Sequence, residues 1–223
     1  MLDIGCGTGI EALQLVQEGY SVLGIDISPA MVRQAQTKIA AFGIRFGAVF
    51  KTLAAGHLKT LDEQGPFQGA YASLGTLNSE PDLEGFATAL HERLAPGAPF
   101  VASVMSRHCL FEILHNLRRL NPGATLDRSG QWVESRAGTG HVKAPVTFYT
   151  PDDFASHLAP LFTVERVMAF PLLMPPAHMS DLYTEKEPHF TSLRDRERTL
   201  REWRGLRAWG DHFLMVLRRT NRE

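Results

Sequence analysis

Met1-Leu2-Asp3-Ile4-Gly5-Cys6-Gly7-Thr8-Gly9 is a short apolar run closed by a glycine loop, and its reading decides the fold. Met1 to Ile4 has the length and apolarity of a buried strand. Ile10, Leu13 and Val16, with Ala12 and Leu15, then recur at helical spacing as far as Gly19, which stops the helix. Glycines at such a strand-to-helix turn let backbone N–H groups approach a ligand with no Cβ in the way. The dinucleotide fingerprint G-x-G-x-x-G, started at Gly5, needs a glycine where Ile10 stands, so that reading fails. A second strand, Ser21 to Ile25, ends on Asp26, seventeen residues beyond Gly9. A carboxylate there can accept hydrogen bonds from both hydroxyls of an adenosine ribose.

Further along, the alternation continues. Ser28-Pro29 is a cap with proline in the first turn and opens a helix through about Phe42. Ala48 to Leu53, Ala70 to Leu74 and Pro99 to Met105 read as strands, with a helix over Asp82 to Leu94 before the last. Strands separated by helices of this length predict a parallel sheet wound on both faces. After Met105 the rhythm changes. Cys109 to Leu120 is an amphipathic helix, and Trp132–Arg136 with His141–Phe148 predicts a hairpin turned at Gly138-Thr139-Gly140. Thr150-Pro151-Asp152-Asp153 opens a short helix. Phe162–Val167 and His212–Arg218 are two more strands, with a helix from Leu193 to Trp209 between them.

With 223 residues, 44% hydrophobic and 21% charged, the chain can bury a sizeable core, and wholesale disorder is excluded. A net charge of −1 removes the simplest electrostatic case for a nucleic-acid or membrane-surface protein. Two cysteines cannot make a disulfide framework, which makes a reducing cytoplasm the default compartment. No run approaches the ~18 apolar residues of a membrane span, and the start has no signal-peptide pattern.

Leu2 to Gly9, together with Gly24-Ile25-Asp26-Ile27-Ser28-Pro29-Ala30-Met31-Val32, resembles the first two motifs of class I S-adenosylmethionine-dependent methyltransferases. Leu94-Ala95-Pro96-Gly97 is similar to that family's turn before strand five, with Ala98 in place of a second glycine. The specific motifs cover residues 1–105. The resemblance implies an α/β, Rossmann-like, doubly wound and mostly parallel seven-stranded sheet in the order 3-2-1-4-5-7-6, with an insertion between strands five and six. It implies one domain over 1–223: a cofactor-binding half at 1–105, an inserted helix and hairpin at 106–150 acting as a lid, and C-terminal strands with helices at 151–223. It implies S-adenosyl-L-methionine as cofactor. Gly5, Cys6, Gly7 and Gly9 would line its methionine part, with Asp3 near the amino group. Asp26 would hold the ribose, and Ile27 and Met31 would flank the adenine. Ala55, Gly56 and Ser73 complete the implied set. Ala55-Gly56-His57 sits where the family often has an acid–alanine pair reading the adenine amine, and that acid is absent here. Only Met1 and Leu2 precede Asp3, whereas family members have upstream helices that cover the sheet. The resemblance therefore implies a chain shortened at its N-terminus or completed by a partner, with apolar sheet surface left bare.

Methyl transfer from a sulfonium asks mainly for alignment and a dry pocket, so a catalytic acid or base is not obligatory. Ligands sit beyond the carboxyl ends of parallel strands, which makes Asn78 and His108 the acceptor-side candidates. No Pro-Pro-aromatic element follows strand four, and no Pro-Cys pair suited to nucleobase chemistry stands there. The histidines show no metal-ligand spacing, so no metal is expected. Residues 193–223 hold nine arginines against five acids, with Trp203 and Trp209 among them. One reading of these is an RNA surface. The other is an amphipathic helix with Leu193, Leu200, Trp203 and Leu206 facing inward. The balance of motifs points to a methyltransferase for a small-molecule acceptor, neither membrane-bound nor nucleic-acid-binding. An RNA or protein methyltransferase using the Arg-rich helix, or a non-catalytic cofactor-binding module, are the alternatives.

Overall fold

Leu2–Ile4 are buried on both faces and form β1, flanked in the computed structural model by β2 (Val22–Asp26) and, further along the chain, by β4 (Ala70–Ala72). Both neighbours run parallel to it, with Asp3 level with Gly24 on one side and Tyr71 on the other. The described residues are 1–44, 47–63, 65–120, 128, 132–137, 140–179 and 181–221. Helix α1 (Ile10–Gln17) follows the glycine loop, and α2 (Pro29–Ala41) follows β2. The Ser28 hydroxyl accepts from the N–H of Met31 at 3.4 Å, which is the expected cap. β3 (Ala48–Thr52) pairs parallel with β2, and β5 (Pro99–Met105) with β4. Helix α3 (Leu83–Arg93) links them, capped by Asp82, whose carboxylate accepts from the Gly85 N–H at 2.8 Å.

Helix α4 (Leu110–Arg118) and an antiparallel hairpin, β6 (Trp132–Ala137) with β7 (Gly140–Pro145), come next. The expected hairpin turn at residues 138–139 lies outside the described residues. Helix α5 (Pro151–Leu158), β8 (Phe162–Phe170), α6 (Asp181–Leu200) and β9 (His212–Arg219) complete the order. The large sheet is ordered β3-β2-β1-β4-β5-β9-β8. With the separate hairpin left out of the count, this is the expected 3-2-1-4-5-7-6. The Arg219 N–H bonds the Ala98 carbonyl, and the Ser106 N–H bonds that of Asp211. The end of β9 therefore meets the start of β5, so the two run antiparallel.

The chain forms two compact units. The first comprises residues 1–102, 156–165 and 216–223. Its core includes Ala12, Val22, Val32, Ala35, Ile39 and Phe50, and Phe100 packs against Phe86 and Phe162. The second comprises residues 103–155 and 166–215, so it takes in more chain than the anticipated insert at 106–150. Arg128 organises it: 5% exposed, its guanidinium donates to both Glu112 carboxylate oxygens, to Asp211 Oδ1 and to the Asp211 carbonyl.

The C-terminal helix differs from expectation. It runs over Asp181–Leu200 rather than Leu193–Trp209, and it stops there because the Ala169 N–H of β8 takes the Arg201 carbonyl at 2.8 Å. That carbonyl is the one a continuing helix would give to Gly205. The chain then runs through turns in which Leu206 bonds back to Trp203 and Trp209 to Leu206. Trp203, expected to face inward, is 62% exposed.

Candidate functional site

The glycine loop is tied to β2 by its own backbone. The N–H groups of Gly5 and Cys6 share the Ile25 carbonyl at 2.8 and 2.9 Å. Gly5, Gly7 and Gly9 all have positive φ, a region that L side chains resist. A Cβ at Gly5 would stand 2.3 Å from Thr76 Oγ1. At Gly9 it would meet Ala35 Cβ at 3.0 Å and the Phe50 ring at 3.2 Å, so Gly9 serves close packing of the loop on α2 and β3. Around Gly7 no atom lies within 4 Å of that position, which leaves the space there open.

Two backbone donors hold Asp26 in place. The Gly7 N–H donates to its Oδ2 and the Ser28 N–H to its Oδ1, each at 2.8 Å. Every carboxylate oxygen can accept twice, so one acceptor position remains on each oxygen, side by side. Asp3 is 2% exposed. Its Oδ2 and the Tyr71 hydroxyl are buried without a hydrogen-bond partner. Burial pushes the Asp3 carboxyl up to about 7; the adjacent Tyr71 hydroxyl opposes the shift, and the Glu11 and Asp26 charges add to it.

A cleft of about 270 Å³ opens at the carboxyl ends of these strands. Gly5, Asp26 and Ile27 line it from the first two strands, Leu53, Ala54 and Ala55 from the segment after β3, and Thr76, Ser79 and Glu80 from that after β4. Of the residues anticipated for the cofactor, Gly5, Asp26, Ile27 and Ala55 are brought together there. Others are placed differently. The Cys6 side chain belongs to the core cluster with Val22 and Phe50, and its thiol is pushed up to about 12, chiefly by burial. Met31 lies in the first turn of α2, and Gly56 backs onto the Glu80 carboxylate. The Ser73 carbonyl accepts from the Thr76 hydroxyl at 2.9 Å.

Of the acceptor-side candidates, Asn78 is 1% exposed and sits inside the Thr76–Ser79 turn rather than on the cleft wall. Its place beyond the carboxyl end of the strand suggested an acceptor-side role, but a polar side chain there can equally satisfy a buried turn. His108 stacks on Trp209 with ring centroids 5.2 Å apart, in the second unit. Thr76, Ser79 and Glu80 were missed by sequence reasoning, since they join the cleft through tertiary packing and carry no spacing relative to the glycine loop. In the second unit, Cys109, Glu112 and Asp211 bring donor atoms within 4.8 Å of one another. Both carboxylates there are already engaged by Arg128.

Comparison with known proteins agrees with this geometry. Residues 1–97 match the family described as "Methyltransferase domain". A solved S-adenosylmethionine-dependent methyltransferase from Methanosarcina mazei superimposes with a TM-score of 0.62, covering 99% of this chain and 92% of that one. Over residues 1–97 the chain is similar to methyltransferase domains, and its fold is that of S-adenosylmethionine-dependent methyltransferases. At 22% identity, the likeness to the solved structure is one of fold. Sequences similar to parts of the chain include a ubiquinone biosynthesis O-methyltransferase of Alkalilimnicola ehrlichii, 30% identical over 57% of the chain. They also include an 18S rRNA (guanine-N(7))-methyltransferase of Bos taurus, 57% identical over 16% of the chain. The matched stretches span 52% and 12% of those two proteins. The site suits S-adenosylmethionine: Asp26 offers a paired acceptor, Gly7 fronts open space, and Asp3 is an orphaned buried carboxyl. Among the described residues, no helix is long and apolar enough to cross a membrane.

Proposed function

We propose that the chain transfers a methyl group from S-adenosylmethionine to a small-molecule acceptor by in-line displacement. The observation that carries the reading is the Asp26 carboxylate, clamped by two backbone N–H groups and facing a cleft floored by a glycine loop. In this reading the free acceptor positions of Asp26 take the two ribose hydroxyls. Gly5 and Gly7 let the backbone approach the methionine part, with Cys6 and Gly9 shaping the loop beneath it. Asp3 answers the ammonium, and Ile27 flanks the purine. S-adenosylmethionine supplies a methyl already activated by a positively charged sulfur. What remains for the protein is alignment and exclusion of water, worth up to ~7–11 kcal/mol in well-oriented systems.

A small acceptor is supported by the second unit. There Leu110, Phe111 and Leu114 of α4 and Leu172, Leu173 and Leu193 line a pocket of about 190 Å³, together with His115 and Arg118. That lining suits a compact apolar molecule with one polar group. The Arg-rich tail offers less to RNA than its composition suggested. Among the described residues its arginines are spread over α6, turns and β9, and Arg218 is paired with Glu165. Incubating the chain with methyl-labelled cofactor and a fractionated cell extract tests this. Label in the low-mass fraction is the expected result, and label confined to RNA or protein would overturn the small-acceptor assignment. Binding without turnover of any fraction would mark a non-catalytic module.

A further inference from the structure

An acid reaches the cleft from an unanticipated part of the chain. Glu80 follows the Thr76–Ser79 turn, is half-buried, and lines the cleft with Asp26 and Ala55. Its carboxylate lies against Gly56, where an added Cβ would stand 2.7 Å from Oε1 and 2.9 Å from Oε2. The Asp82 N–H donates to Oε1 at 3.1 Å, which sets the direction of the group. Oε2 has no hydrogen-bond donor among the described residues. The neighbouring wall is aliphatic, made by Ile27, Leu53, Ala54 and Ala55. An apolar slot with one free carboxylate oxygen suits a flat heteroaromatic ring that carries an amino donor on its edge.

We infer that Glu80 accepts a hydrogen bond from the 6-amino group of the cofactor's adenine and so sets the purine specificity of the cleft. The inference rests on the proposed reading of the cleft as the cofactor site. It also gives Gly56 a reason. Any side chain there would push the carboxylate aside, and because the end of Glu80 is flexible, the fold would survive the change. A site built to bond a donor disfavours an analogue that lacks it, since its own acceptor then loses that partner.

The test is calorimetric titration of the full chain with S-adenosylhomocysteine and with its analogue bearing hydrogen in place of the 6-amino group. Wild type is expected to bind the amino compound about 10–100-fold more tightly, the range for a hydrogen bond to a charged group. Glu80→Gln keeps an oxygen for the Asp82 N–H, and Gly56→Ala displaces the carboxylate without deleting it. Both are expected to narrow the ratio to within about threefold while melting close to wild type. If wild type binds the amino compound and Glu80→Gln keeps the full ratio, the carboxylate only caps its loop and the assignment is overturned. If wild type binds neither compound, the reading of the cleft falls first and the assignment falls with it.

Discussion

Asp3 shows how a single carboxyl can be costly to the fold and useful to the site. Its folded pKa of about 7 lies well above the ordinary value of 3.8, so between those values the native state holds a proton that the unfolded chain releases. Stability therefore falls as pH rises from about 4 to about 7 and levels off above. Asp3→Asn abolishes this dependence. It is expected to be more stable than wild type at pH 8 by on the order of 2 kcal/mol, with the gap closing near pH 4. Urea titrations at the two pH values would show it, and the same variant should bind S-adenosylhomocysteine more weakly. The glycines separate two roles in the same loop. Gly5→Ala drives a Cβ into Thr76 from a positive-φ position and is expected to lower stability by several kcal/mol. Gly7→Ala meets nothing, so only the backbone strain of about 1–2 kcal/mol is expected. Thermal melts should place Gly7→Ala only about 2–8 °C below wild type, while calorimetry should find its cofactor affinity largely lost.

Among the elements, those with local punctuation were legible and those set by tertiary bonds were not. The Ser28-Pro29 cap and the Thr150 cap, whose hydroxyl accepts from the Asp153 N–H at 3.2 Å, both mark real helix starts. β5 runs over Pro99–Met105 as its apolar pattern predicts. The end of α6 was not readable, because the competitor for the Arg201 carbonyl is a strand more than thirty residues earlier. Cys6 and Gly9 were readable as loop residues but not as packing residues, since motif spacing does not say which side of a turn faces the core. Glu80 shares no sequence signal with the loop it faces. Arg128 is the other long-range organiser. Glu112 and Asp211 stay below the usual carboxylate range against the pull of burial. His178 and Arg128 hold the former, and His212 and Arg128 the latter. Their contribution is present above the unfolded pKa and lost as pH falls through the folded value. Arg128→Met leaves both carboxylates without their permanently charged, shared cation and is expected to cost about 3–5 kcal/mol at pH 7. The loss should shrink in acid, as seen by denaturant midpoints at pH 7 and pH 4.

For the whole molecule, cofactor binding and folding are one linked equilibrium. S-adenosylhomocysteine at about 100 times its Kd should add ~2.7 kcal/mol, and for a chain of this size raise Tm by about 5–10 °C. Differential scanning fluorimetry of wild type and Arg128→Met should give the same increment from different starting points, because Arg128 lies outside the unit that holds the cleft. An unchanged wild-type Tm would count against the cleft as the cofactor site. The sheet order has another consequence, for synthesis. β9 sits between β5 and β8, yet about a hundred residues are translated after β5 before it emerges. At ~5–20 residues per second, the nascent chain holds the free edge of β5 open for on the order of 5–20 s. An unpaired edge is a template for pairing with other chains, so yield in the cell should depend on translation speed and chaperone supply between residues 106 and 211.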